Sequence, residues 1–455
     1  MTTRRFFAIA VPALLAALLT PHSRALRAQD ATALSTPARV ITLAEAIRLA
    51  LDSSSTVRLA RNAVSLDSIT VRQFRNQFLP NLSASGQSSQ GFASGSTGTN
   101  SLNTNVGLSG GVTLYNGNQN VNALREAELI LRAGGQDLAR ARQTIVFIVA
   151  TDFLALITQQ ELLRVQQQNL VAQQDQLTQL EAFTKAGTKN IGDLYQQQSA
   201  TAAARLAVAN ASRTTELAKV DLIQELVLDP RATYEFESPP ADSSRRPVFN
   251  LDSLVDIALR QRVDIQALAL RVQAAEREIM VADGGRLPVV SATAGYGSTA
   301  TIPAEVSFPN QLDQRRGGSV GVGVALPIFD RGAVAIARQR AKIQLETEKL
   351  ALRDQVQAAA LDVRRAYLNY QSAQEQLTAA DAQQKSAALA LDAMQTRYRV
   401  GLATFVEVML ARATLVQGQS AVVTARSSLV FQQALMSYYT GVIDATGAGG
   451  TRVIR

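Results

Sequence analysis

The side chains that usually carry chemistry are nearly absent from this chain. Its 455 residues include no cysteine and a single histidine, His22. Disulfides, thiolate metal centres and cysteine nucleophiles are therefore excluded, and beyond residue 22 no imidazole is available for zinc or for proton transfer near neutral pH. What remains is a pair of acids at helix starts. Thr404-Phe405-Val406-Glu407 has the spacing of a capping box, and Asn190-Ile191-Gly192-Asp193 has the same form in an earlier segment. Acids placed like Asp193 and Glu407 satisfy backbone N–H groups and favour the positive end of a helix. From this set we expect neither an enzyme nor a cofactor.

The two acids each follow a glycine, Gly187 and Gly401, and those glycines lie 214 residues apart. Phe153 and Tyr367 share that offset, whereas Leu79-Pro80 and Leu287-Pro288 lie 208 apart. Both spacings come from one unit written twice. Each copy opens a helix (Leu43-Ala44-Glu45-Ala46-Ile47, Leu251-Asp252-Ser253-Leu254-Val255), reaches its Leu-Pro pair, and passes through two short strands. A long helix then runs to the glycine and a second helix returns. The first repeat covers 42–229 with a strand pair at about 81–115, the second 250–441 with a pair at about 289–329. The six-residue excess of the second repeat falls near Pro303 to Arg316. Residues 230–249, with Pro239-Pro240, read as a surface linker, and 442–455 as a tail.

The strands alternate: Val320, Val322, Val324, Leu326 and Ile328 share one face, as do Val106, Leu108, Gly110, Val112 and Leu114. About ten residues is the length of a tilted membrane strand, although an ordinary half-buried hairpin has the same period. Ala333 to Tyr398 holds neither Pro nor Gly. Within it Val356, Val363, Tyr370, Leu377, Gln384, Leu391 and Tyr398 recur every seven residues, beside a second seam of Leu352, Ala359, Ala366, Ala373, Ala380, Ala387 and Met394. That is a coiled-coil pattern in which the alanines let helices approach closely. Val149, Leu156, Leu163, Leu170 and Leu177 keep the step in the first repeat, Gly134-Gly135 suggests a bend, and a glutamine-rich stretch from Gln159 to Gln179 reads as a wetted face.

Residues 1–28 read as a secretory signal, with Arg4 and Arg5 before an apolar run from Phe6 to Leu19 that is too short to span a bilayer. Removing them takes Arg4, Arg5, Arg24 and Arg27 from the formal charge of +8 and leaves +4, too modest to argue for nucleic acid. No later stretch reads as a membrane helix, so entry into a membrane would be by strands. Four strands cannot close, and open edges are not tolerated in lipid. Two chains would give a barrel filled by its own side chains, and three would give twelve strands around a lumen.

The doubled plan of helix, Leu-Pro, hairpin, Leu114-Tyr115-Asn116-Gly117 or Ile328-Phe329-Asp330-Arg331-Gly332, long helix, glycine turn and returning helix resembles the TolC family of outer-membrane efflux and secretion channels, across residues 42–441. The resemblance implies a mainly α fold with a small membrane β-barrel. Four strands per chain would join a twelve-stranded barrel in a homotrimer, and antiparallel coiled-coil helices would form a periplasmic α-barrel. It further implies the exit duct of a tripartite efflux or type I secretion system. Its partners would be a periplasmic adaptor, an inner-membrane pump and outer-membrane lipid, with no nucleic acid. Tyr398 matches the family's gate tyrosine, Asp193 its partner, and Glu407 an acid that rings the pore at the tips marked by Gly187 and Gly401. Leu410 stands where a second acid often occurs and Ala403 where some members carry arginine. The chain has no Trp, so an aromatic girdle would draw on Phe78, Phe92, Tyr115, Tyr296, Phe308 and Phe329. Helix capping by the two acids and seam packing by Tyr398 remain alternatives, as does a periplasmic coiled-coil adaptor or structural protein.

Overall fold

A computed structural model of the chain describes residues 39–92, 101–237, 249–302 and 306–443. The expected signal at 1–28 and the tail beyond residue 443 lie outside them. The first half runs β1 (Arg39–Ile41), α1 (Leu43–Ser53), α2 (Ser55–Asn76), β2 (Asn81–Gly91), β3 (Ser101–Asn116), α3 (Gln119–Lys185) and α4 (Ile191–Glu225). After β4 (Tyr234–Phe236) the plan recurs as α5 (Leu251–Gln261), α6 (Val263–Gly284), β5 (Val289–Ile302), α7 (Phe308–Gln314), β6 (Gly317–Ala325), α8 (Ala333–Arg399) and α9 (Phe405–Tyr439). Helices α3 and α8 each have 67 residues, and α4 and α9 each have 35. At 1.5 Å per residue the longer pair reaches about 100 Å.

Pro80 and Pro288 stop α2 and α6, since proline cannot continue the hydrogen-bond ladder. The long helices begin after two consecutive left-handed residues, Gly117 and Asn118 in one half and Arg331 and Gly332 in the other. Asn116 Oδ1 accepts from the Asn120 N–H at 3.3 Å, and Asp330 Oδ2 accepts from the Val334 N–H at 2.8 Å, so the same entry cap is built twice. Only the first turn demands glycine at its first position. A Cβ on Gly117 would lie 2.3 Å from the Gly284 carbonyl oxygen at the end of α6.

The four-stranded sheet has the order β2-β3-β5-β6, antiparallel throughout. Its register sets Leu82 opposite Gly110, Leu108 opposite Tyr296, and Val320 and Val322 opposite Ala294 and Ala292. One face therefore collects the apolar residues, while Ser83, Ser109, Thr293 and Ser319 line the other. The apolar face is bare, with Leu82 78% and Val320 87% exposed, which suits lipid and not water. Strands β2 and β6 are both edges within the chain. Strand β6 ends at Ala325, so Leu326 and Ile328, expected on it, lie beyond its end. The six-residue excess falls in the segment that holds α7, where buried Gln311 accepts from the Thr301 N–H at 2.9 Å and donates to the Thr301 carbonyl at 3.0 Å. This one side chain thus replaces a neighbouring strand where β5 outruns β6.

Below the sheet lie two related cores. The first joins Ile41, Ile47, Val149, Phe153, Leu156 and Leu222; the second joins Leu254, Val363, Tyr370, Leu377, Leu429 and Met436. The segment read as a linker contributes to the first. It forms β4, parallel to β1, and its buried Phe236 meets Phe153 edge-on at 6.1 Å. Residues 238–248 of that segment lie outside the described residues. The alanine seam is buried at Ala359, Ala366, Ala373, Ala380 and Ala387, as the heptads require.

Within the continuous helix α3, Gly134 gives room to α2, because a Cβ there would sit 2.6 Å from Asp67 Oδ2. Three local expectations differ from the structure. Beyond Leu156 the buried positions of α3 become Val165, Gln173 and Leu180, so the seven-residue step slips. Gln173 is accordingly not wetted: Gln197 Nε2, from α4, donates to its carbonyl at 2.7 Å and to its side-chain oxygen at 2.8 Å. Helix α3 also contains an 18-residue window of mean hydropathy 1.5, apolar enough to cross a membrane by composition. Its apolar residues Val149, Phe153 and Leu156 are spent on the first core.

Candidate functional site at the helix tips

Both long helices end the same way. Gly187 and Gly401 are left-handed, at φ 73° and 79°, and bonds from Thr188 N–H to Phe183 O (2.9 Å) and from Leu402 N–H to Arg397 O (2.8 Å) close the last turn. A side chain with a Cβ would strain either turn, so glycine is required there. Each returning helix starts on its own cap. Asn190 Oδ1 accepts from the Gly192 N–H at 2.9 Å, and Thr404 Oγ1 accepts from the Glu407 N–H at 3.3 Å.

Glu407 completes a capping box. Its Oε2 accepts from the Thr404 N–H at 2.6 Å and from the Thr404 hydroxyl at 2.9 Å. The Thr404 N–H, and after it the Thr404 hydroxyl, hold this exposed carboxyl below the usual glutamate range, so it is charged near neutral pH. Asp193 does a different job. Tyr398 Oη donates to Asp193 Oδ2 at 2.9 Å, linking the end of α8 to the start of α4. Burial, and then the hydrogen bond with Asp193, push the Tyr398 phenol above its ordinary value, so it is a dependable donor. The buried Phe405, at the start of the returning helix α9 of the same hairpin, supports the ring, with centroids 5.7 Å apart.

A third residue belongs to this cluster and was not singled out from sequence. Lys189 Nζ donates to the Tyr398 carbonyl at 3.3 Å and lies 3.9 Å from the centroid of its ring. The repeat offset of 214 places Lys189 opposite Ala403, so comparing the two glycine turns position by position was the available signal. The structure thus brings Asp193, Tyr398 and Lys189 together between the two hairpins, while Glu407 bonds to Thr404 on its own cap. Around them Phe183, Ile191, Leu402, Val406 and Leu410 stand exposed, an apolar tip. Among the described residues no three His, Asp or Glu side chains are grouped to hold a metal ion.

Lengthwise matched hairpins beneath an open sheet with one lipid-suited face define a channel subunit rather than a globular domain. The sequence profile of the outer membrane efflux protein family matches residues 46–226 and 254–441, one segment per repeat. The outer membrane efflux protein BepC of Brucella suis biovar 1 (strain 1330) is 23% identical over 422 residues, 90% of this chain and 87% of that protein. The pyoverdine export outer membrane protein OpmQ of Pseudomonas aeruginosa PAO1 is 25% identical over 365 residues, 80% of this chain and 74% of its own length. The solved CusC structure has the same fold, with a TM-score of 0.78 at 18% identity over 88% of this chain and 92% of that one. The chain belongs to the outer membrane efflux protein family. It is an outer-membrane channel subunit, the exit duct of an efflux system, with its long helices extending into the periplasm.

Proposed function

We propose that three copies pool their strands into one twelve-stranded barrel, and that the duct so formed is closed at its periplasmic end by Tyr398 and Asp193. The edges support the first part: among the described residues β2 and β6 are each paired on one side only, to β3 and β5, and a lipid-facing sheet must close on itself. The hydrogen bond from Tyr398 Oη to Asp193 Oδ2, at 2.9 Å, carries the second. It ties the two hairpins of one subunit together where a three-fold axis would make the lumen narrowest. A hydrogen bond to a charged acceptor contributes roughly 1.5–3 kcal/mol, and a trimer has three of them. Glu407, charged and exposed, would repeat three times around the same opening and favour cations there. The exposed apolar tip is where a periplasmic adaptor docks, with an inner-membrane pump beyond it. The chain supplies passage.

Single-channel recording in a planar bilayer tests the gate. Tyr398→Phe removes the bond and Asp193→Asn weakens it by taking the charge from its acceptor, each with little change in volume, and each should raise conductance above that of the wild type. Unchanged conductance in both would place the constriction elsewhere.

A further inference from the structure

We propose that Lys189 is a positioning residue for this gate: its ammonium holds the Tyr398 ring so that the hydroxyl meets Asp193. The inference rests on the gate reading above and deepens it. Three observations carry it. First, Lys189 Nζ donates to the Tyr398 carbonyl at 3.3 Å. Tyr398 lies in the last turn of α8, where its carbonyl also accepts from the Gly401 N–H at 3.2 Å and the helix end is negative, so a cation is favoured there. Second, the same ammonium lies 3.9 Å from the ring centroid. A cation over an aromatic face is attracted by the ring's quadrupole and restrains the ring's rotation. Third, Lys189 comes from the turn between Gly187 and Asn190, whereas Tyr398 ends the other long helix.

The lysine therefore reaches from one hairpin to both the backbone and the ring of the other. Asp193 receives the hydroxyl four residues further along the same hairpin as Lys189. Tyr398 is thus gripped at three points by one hairpin: carbonyl, ring face and hydroxyl. With the ring free to turn, the hydroxyl would be shared with water and the bond to Asp193 would be made only part of the time. The ammonium itself need not touch the pore to matter. Because it works through a ring face and a carbonyl, arginine at the same place retains both contacts, and a neutral side chain of similar length retains neither.

The test is single-channel recording of the full-length protein in a planar bilayer, with Lys189→Met and Lys189→Arg made in the wild type and in Tyr398→Phe. Lys189→Met should raise the ratio of open to closed time about two- to fivefold per subunit, the change that a lost exposed cation–π contact carries. Lys189→Arg should restore closure. In Tyr398→Phe, Lys189→Met should add nothing, because the hydroxyl it positions is already gone. If Tyr398→Phe opens the channel and Lys189→Met does not, the lysine proposal fails and the gate stands. If Lys189→Met opens both backgrounds equally, the lysine acts independently of the hydroxyl and the proposal is overturned. If neither Tyr398→Phe nor Asp193→Asn opens the channel, the gate and the lysine's role fall together. Thermal stability of the trimer, expected to be the same in Lys189→Met and Lys189→Arg, separates positioning from a folding defect.

Discussion

Val227 and Gly441 hold the same left-handed backbone at the same place in the two halves, at φ 54° and 75°, each just past the end of a returning helix. Both turns close alike, with Leu228 N–H bonded to Ile223 O and Val442 N–H to Ser437 O, each at 3.1 Å. A β-branched residue is a poor occupant of that conformation, which costs an L-residue roughly 1–2 kcal/mol. Val227 is exposed, so little packing is lost on removing it. Val227→Gly should therefore leave stability unchanged or raise it, the relief exceeding the roughly 0.4–1 kcal/mol of added unfolded-state entropy. Gly441→Val should do the opposite, since its Cβ would also meet Gln261 backbone atoms at 3.2 Å. Thermal unfolding of both variants checks the pair.

The alanine seam packs helix against helix. Ala366 and Ala373 are 1% and 2% exposed, and Ala373 belongs to the second core with Tyr370 and Leu377. Ala366→Leu or Ala373→Leu should cost about 1–3 kcal/mol by overpacking and should lower the yield of assembled protein. Melting temperatures equal to the wild type in both variants would mean the seam has space to spare.

Glu126, on α3, gives stability a pH dependence. Burial and then the charge of Glu278 raise its pKa from 4.5 to about 7. Because the folded value lies above the unfolded one, its contribution is full below 4.5 and is lost as pH rises through about 7. Asp67, which faces the same small cleft, is raised too, by burial and by Asp137, and adds in the same direction. The detergent-extracted protein should thus melt at a lower temperature near pH 8 than near pH 5, and Glu126→Gln should shrink that difference. An unaltered difference in Glu126→Gln would assign the dependence to other groups.

Glu407 has two separable roles. Glu407→Gln keeps an oxygen to accept from the Thr404 N–H and removes the charge, so cation preference and block by multivalent cations should fall while stability holds. Thr404→Ala leaves the charge and removes the cap, and should cost about 0.5–2 kcal/mol with selectivity retained. Reversal potentials under a salt gradient, measured beside melting curves, distinguish the two.

Most of the architecture was legible because the repeat wrote it twice. Paired landmarks such as Gly187 and Gly401 fixed the long helices without any contact being known, and the alanine heptads fixed which face of α8 is buried. The slip after Leu156 was not legible, because Gln173 and Gln197 are buried by bonding to each other, and polar residues at seam positions look solvated in sequence. Strand β4 was hidden for a related reason: three residues beside a Pro-Pro pair carry no periodicity, and only Phe236 meeting Phe153 gives the strand its place. At the tip, Tyr398, Asp193 and Glu407 stood at motif positions. Lys189 did not, since a lone lysine in a turn has no pattern, and its meaning comes from the ring it faces across the two hairpins.

The central claim is that this chain becomes a duct only by pooling strands from three copies. Native mass measurement of the protein extracted in mild detergent, from the same sample that conducts in bilayers, tests it most directly. Three subunits per conducting particle is the result expected from two free edges, β2 and β6, on a four-stranded sheet. A conducting monomer or dimer would contradict it, because four strands cannot close in lipid and eight leave a barrel filled by its own side chains.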